Sequence, residues 1–141
     1  MTDAEFLQVA IKMTELRLNG EYQRAERMRQ AVGALEMASA DPKSEGHAAI
    51  RLLIGTWERI AIFSQSFSRK QLYRFFRCTP VLLVWLSLKP AVQAIRDSGK
   101  VGPLYAKSLE DLAQVYEEWT KTEDGVNFRS DAEQAVCANF A

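Results

Sequence analysis

Histidine is almost missing from this chain of 141 residues: His47 stands alone. A multi-histidine metal site and a histidine-driven nucleophile are therefore hard to build. Cysteine is scarce too. Cys78 and Cys137 are too few for a disulfide framework, and both sit among apolar neighbours, where a reduced, buried thiol is expected. Seven glycines and four prolines leave little punctuation, which favours long helices over many short strands. No glycine-rich phosphate loop occurs, because Gly99 and Gly102 in SGKVGP lack both the spacing and a preceding strand. Net charge is zero, with 18 basic and 18 acidic residues, so no global field draws the chain to nucleic acid or to a membrane. The longest apolar run, Val81 to Leu88, is far short of the ~20 residues a membrane helix needs. The opening MTDAEFLQVA is acidic rather than basic then apolar, so it reads as part of the fold. A cytoplasmic protein is expected.

What is present is a core. Hydrophobic residues make up 48% of the chain, enough to fill the interior of one domain of this size. Thr2-Asp3-Ala4-Glu5 is a capping box and starts a helix at once. Phe6, Val9, Ala10, Met13 and Leu16 give that helix an inner stripe. Asn19-Gly20 interrupts it, and a second stripe follows through Tyr22, Ala25, Met28, Val32 and Leu35. The two stripes form either an N-terminal helical hairpin over 1–38 or one long helix kinked at Gly20, and the hairpin is the expectation. The pattern at Gly20, Tyr22 and Ala25 resembles a tetratricopeptide helix junction, but no second copy occurs at the required period. A polar linker spans 39–46 (SADPKSEG).

The core bundle is expected over 47–121. Ile50, Leu53, Ile54, Trp57, Ile60 and Ala61 share one helix face. Ser68 with Gln71 forms a second capping box and opens a short basic-aromatic helix, 68–77. Thr79-Pro80 then starts a helix over 79–98 that is apolar nearly all round, so it should lie at the centre with Trp85 in the core. Pro90 inside it removes a backbone hydrogen bond and predicts a kink near Leu86. Ser108 should cap a last long helix carrying Leu109, Leu112, Val115, Tyr116 and Trp119. Residues 122–141 read as a polar tail, with a short helix opened by Ser130-Asp131-Ala132-Glu133. The fold class is all-α, a single-domain bundle of about six helices.

Residues 51–119 also carry a resemblance. Trp57-Glu58-Arg59-Ile60-Ala61, the pair Phe75-Phe76, Trp85 and Pro90 on one helix, Arg96 after Ile95, and then Tyr105 and Leu112 resemble a bacterial family of small helical domains of unknown function. The resemblance covers about half of the chain and implies a helical fold without an activity. Members often carry an N-terminal membrane helix, and they tend to have an acidic helix where this chain has Arg69, Lys70, Arg74 and Arg77.

No catalytic residue, metal ligand or cofactor is expected. His47 reads as a solvated residue near a helix end. Glu110 and Glu117, like Asp111 and Glu118, share a helix face, but no Glu-x-x-His partner accompanies them, so they read as a solvated acidic face. Charge distribution is more informative. Residues 47–100 carry a net +7, residues 101–141 a net −5 and residues 1–46 a net −2. Within the basic segment Lys70, Arg74 and Arg77 fall on one face at i, i+4 and i+7, with Arg69 and Tyr73 beside them. These five residues are the candidate binding site. The first expectation is a non-catalytic protein-interaction or regulatory module, with inhibition of a larger complex as one form of it. The alternative is a nucleic-acid-binding regulator that uses the same helix through phosphate contact and stacking. A homodimer paired through the N-terminal stripe is a further expectation, and no membrane partner is expected.

Overall fold

The Thr2 capping box forms as its sequence dictates. Thr2 Oγ1 accepts from the Glu5 amide at 3.1 Å, and the Thr2 amide donates to Glu5 Oε2 at 3.3 Å. In the computed structural model, which describes residues 1–128, this box opens α1 (Asp3–Leu18). Asn19 leaves helical geometry at ψ 136°, and its Oδ1 accepts from the Glu21 amide, so a new helix, α2 (Gly20–Val32), starts immediately.

The antiparallel hairpin expected here does not form. Phe6 meets Phe67 edge-on, while Arg17 stacks over Trp57. The Trp57 indole N–H donates to the Tyr22 hydroxyl at 3.0 Å, and Met28 lies under Gly46. Those partners run backwards from Phe67, in the turn after α4 (Glu45–Ser64), along that helix to Gly46. The two helices thus follow α4 in succession, end to end, as one helix bent at Asn19.

The second stripe also breaks earlier than its periodicity implies. Gly33 takes φ +100°, a conformation closed to other residues, and separates α2 from a short α3 (Ala34–Ser39). As a result Val32 and Leu35 face outward, while Ala34, Met37 and Ala38 are buried. The connection to α4 is a tight turn: Asp41 accepts from the Lys43 and Ser44 amides, and Ser44 Oγ accepts from the His47 amide. The structured chain therefore leaves little of the 39–46 linker free.

Ser68 and Gln71 exchange their capping-box bonds and open α5 (Arg69–Cys78). Pro80 sits at the N-cap of α6 (Val81–Asp97), one position earlier than the pattern implies, with Thr79 buried behind it. After a loop through Ala106, which is left-handed at φ +60°, comes α7 (Lys107–Trp119). Residues 123–128 add a further helical turn. The short helix expected from Ser130 lies outside the described residues. No strand occurs among the described residues, so the fold is all-α.

Every long helix contributes to one core. Trp85 is buried in it, as are Leu88, Val92 and Ile95 of α6. Cover on α6 is incomplete, however: Leu83 and Leu86 are more than half exposed. Pro90 also faces outward, so the Leu86 carbonyl that it deprives of a donor lies toward solvent. The element with the most neighbours is α4, which packs against α1, α2, α3, α6 and α7. Its Ile50, Leu53, Ile54, Trp57, Ile60 and Ala61 form the centre, as their spacing predicts.

Candidate functional site

The alternation of α5 decides which of its residues can act. Buried Gln71, Phe75 and Phe76 point inward, and Gln71 Nε2 donates to the Met1 carbonyl at 2.9 Å. Phe76 packs on Tyr116 and Trp119 of α7, with ring centres 5.0 and 5.4 Å away. Phe67, half-buried, packs on Phe6 and Phe75. These aromatics are core, so they offer no stacking platform to a base. The opposite face carries Arg69, Lys70, Arg74 and Arg77, all exposed, with Tyr73 half-buried between them.

All five expected site residues converge. Arg69, Lys70, Tyr73, Arg74 and Arg77 line one open cleft of about 660 Å³, and Asp124 closes its far end. The Arg77 guanidinium is ion-paired with Asp124 Oδ1. The other oxygen, Oδ2, accepts from the Trp119 indole N–H at 2.9 Å. Arg74 stacks over the Phe6 ring at 5.2 Å, which positions the cation without neutralising it. Among the described residues Arg69, Lys70 and Arg74 have no carboxylate partner.

The acidic helix α7 does not neutralise this row. Glu110 bonds Arg96 at 3.3 Å and Lys107 at 3.1 Å, and Asp111 bonds Lys107 at 3.1 Å. Lys107, hydrogen-bonded first to Asp111 and then to Glu110, is held above the ordinary lysine value. Its bond in turn holds Glu110 below the ordinary carboxylate value. Arg96 is tied further by two bonds to the Tyr105 carbonyl, at 2.9 and 2.6 Å, which pin the loop before α7.

The remaining candidates resolve into structure. His47 is half-buried rather than solvated, with Nδ1 3.1 Å from the Ala38 carbonyl, and it ties α3 to α4. Cys78, the last residue of α5, is exposed, not buried. Among the described residues no group of His, Cys, Asp and Glu is arranged to hold a metal ion. No single helix among them is long and apolar enough to cross a membrane.

Asp124 is the site residue that the sequence conceals. It lies 47 positions after Arg77 in a stretch read as a polar tail, and no local spacing links the two. Only the packing of Trp119 against Tyr73, with ring centres 6.1 Å apart, brings it to the cleft. No family model, no curated protein and no solved structure matches this chain.

Proposed function

We propose that this chain is a non-catalytic interaction module that binds a protein partner through the outer face of α5. The observation that carries this reading is the row of cations in one cleft, three of which have no carboxylate partner among the described residues. Charges left unpaired on an ordered helix cost little in water and are available to a complementary surface. Inhibition of a larger complex is one form such binding would take. A cytoplasmic setting belongs to the same proposal, because the exposed Cys78 thiol suits a reducing compartment. The resemblance of residues 51–119 to bacterial helical domains adds a fold to this reading and no activity.

The same cations could meet phosphates, but single-strand binding also needs aromatic faces. Phe75 and Phe76 are buried, which leaves Tyr73, and that ring already packs on Trp119. A protein partner is therefore the better reading. It is tested by capture from host lysate, with and without nuclease treatment, on the wild type and on an Arg69→Glu, Lys70→Glu, Arg74→Glu variant. A defined protein retained only by the wild type supports the proposal. Retention that disappears with nuclease treatment supports the nucleic-acid alternative instead.

The homodimer belongs to this proposal on a different surface. The stripe of Phe6, Val9, Met13 and Leu16 is occupied against the rest of the fold. On the opposite side of α1, Leu7, Ile11 and Leu18 are each more than half exposed. With Thr14 they follow the 4-3-4 spacing of a coiled-coil seam. Thr14 Oγ1 donates to the Ala10 carbonyl at 3.0 Å, so the residue can turn its methyl group to the seam. An antiparallel second α1 would set Leu7 on Leu18 and Ile11 beside Thr14.

A further inference from the structure

The α5 cleft already holds one acidic group, and that group shows what the cleft is built to take. Asp124 is gripped at both oxygens, by the Arg77 guanidinium on one side and the Trp119 indole N–H on the other. The seat is anchored, since Trp119 is 2% exposed. Beyond it the cations continue in a helical row, Arg77, Arg74 and Lys70, with Arg69 at the end. Four residues of helix rise about 6 Å and three rise about 4.5 Å. Carboxylates at i, i+4 and i+7 of a facing helix have that same spacing.

We infer that the cleft receives an acidic helix from a partner protein, and that Asp124 is the chain's own carboxylate in the first seat. This rests on the reading of α5 as a protein-binding face and adds the chemistry of the partner. The partner's first carboxylate competes with Asp124 for Arg77, and the following ones pair with Arg74, Lys70 and Arg69. Arg74 is held in place for this by its stacking on Phe6. Tyr73 forms the floor between the cations and ties the cleft to Trp119. Asp124 therefore lowers the affinity of the empty cleft for any single carboxylate, so that only a multiply acidic helix binds well. A helix with isolated acidic residues is rejected.

The test uses the full chain and three probes. One is an alanine-rich helical peptide with glutamates at i, i+4 and i+7. The second is its glutamine counterpart, and the third is a single-stranded oligonucleotide of equal charge. The Trp119 indole N–H resonance reports on Asp124 directly, because that N–H donates to it. The glutamate peptide is expected to shift this resonance and the glutamine peptide to leave it in place. Asp124→Asn keeps an acceptor for Trp119 but removes the competing charge, so it should tighten peptide binding roughly three- to tenfold. Lys70→Glu, at a residue with no ion-pair partner among the described residues, should weaken it by a similar factor, and it serves as the readout if Asp124→Asn melts early. Equal binding of the two peptides, or no Trp119 shift at saturation, overturns the acidic-helix inference while α5-dependent protein capture would still stand. An oligonucleotide that binds more tightly than the glutamate peptide overturns both.

Discussion

Glu58 caps a helix to which it does not belong. It projects from α4, and its Oε1 accepts from the Leu109 amide at 2.7 Å, in the first turn of α7. Because the N-cap position, Ala106, has no side chain able to bond that turn, the long-range carboxylate takes the cap's place. Burial raises the Glu58 carboxyl above its ordinary value, and the bonds from the Leu109 and Ser108 amides and the Arg96 charge only partly offset this. A carboxyl raised in the folded state contributes stability that is present below the ordinary carboxylate value and lost as pH rises through the raised one. Glu110, lowered chiefly by its Lys107 bond, works in the opposite sense: its contribution is present above the ordinary value and lost as pH falls through the lowered one. Glu58→Gln retains an acceptor and removes the buried charge. Its melting temperature should therefore match or exceed that of the wild type at pH 7, and the difference should close near pH 4. Glu58→Ala leaves the α7 amides bare and should cost about 1–2 kcal/mol by denaturant titration. A Glu58→Ala variant as stable as the parent would remove this account of how α7 starts.

At the scale of the elements, one glycine decides how the first third of the chain packs. Gly33 ends α2 and lets α3 turn its Ala34, Met37 and Ala38 into the core against α4 and α6. Its φ of +100° is costly for any side chain, although a Cβ there would meet nothing within 4 Å. The cost of Gly33→Ala is therefore conformational, about 1–3 kcal/mol, and should appear as a lowered melting temperature with an unchanged helix content. A neutral result would mean that the break is not set by this residue. Such breaks explain what the sequence left hidden. The apolar stripe of α4 and the capping boxes at Thr2 and Ser68 were legible because local spacing and local side chains dictate them. The choice over 1–38 between a hairpin and a kinked helix was not, because Asn19 permits a bend as readily as a reversal. What chooses between them is packing on α4, through Trp57 and Gly46, and on Phe67 in the turn after it. Similarly, α6 read as apolar on all sides, yet neighbours cover only one face of it, and Leu83 and Leu86 remain outside. The basic row of α5 was visible in full from its spacing. Its seat for a carboxylate was not, because Asp124 arrives through tertiary contact alone.

For the whole molecule the governing feature is polarity hidden under a zero net charge. Among the described residues the +7 of residues 47–100 meets the −5 of residues 101–141 in two ion pairs, Arg96 with Glu110 and Arg77 with Asp124. The outward seam of α1 is a second, apolar surface on the same molecule. If it pairs with a second copy, light scattering should give a dimer mass at high micromolar concentration. Ile11→Glu should return it to a monomer with its melting temperature unchanged, because Ile11 is exposed. A monomer mass for the wild type at that concentration would exclude the pairing. Whether Arg69 and Lys70 serve a partner or the fold is decided by thermal unfolding of the Arg69→Glu, Lys70→Glu double variant. Neither residue has a carboxylate partner among the described residues, and exposed charges contribute ~1 kcal/mol or less. A melting temperature within a few degrees of the parent, with partner binding lost, is the expected result. Unfolding of that variant, or binding that survives it, would show that these cations are not a partner site.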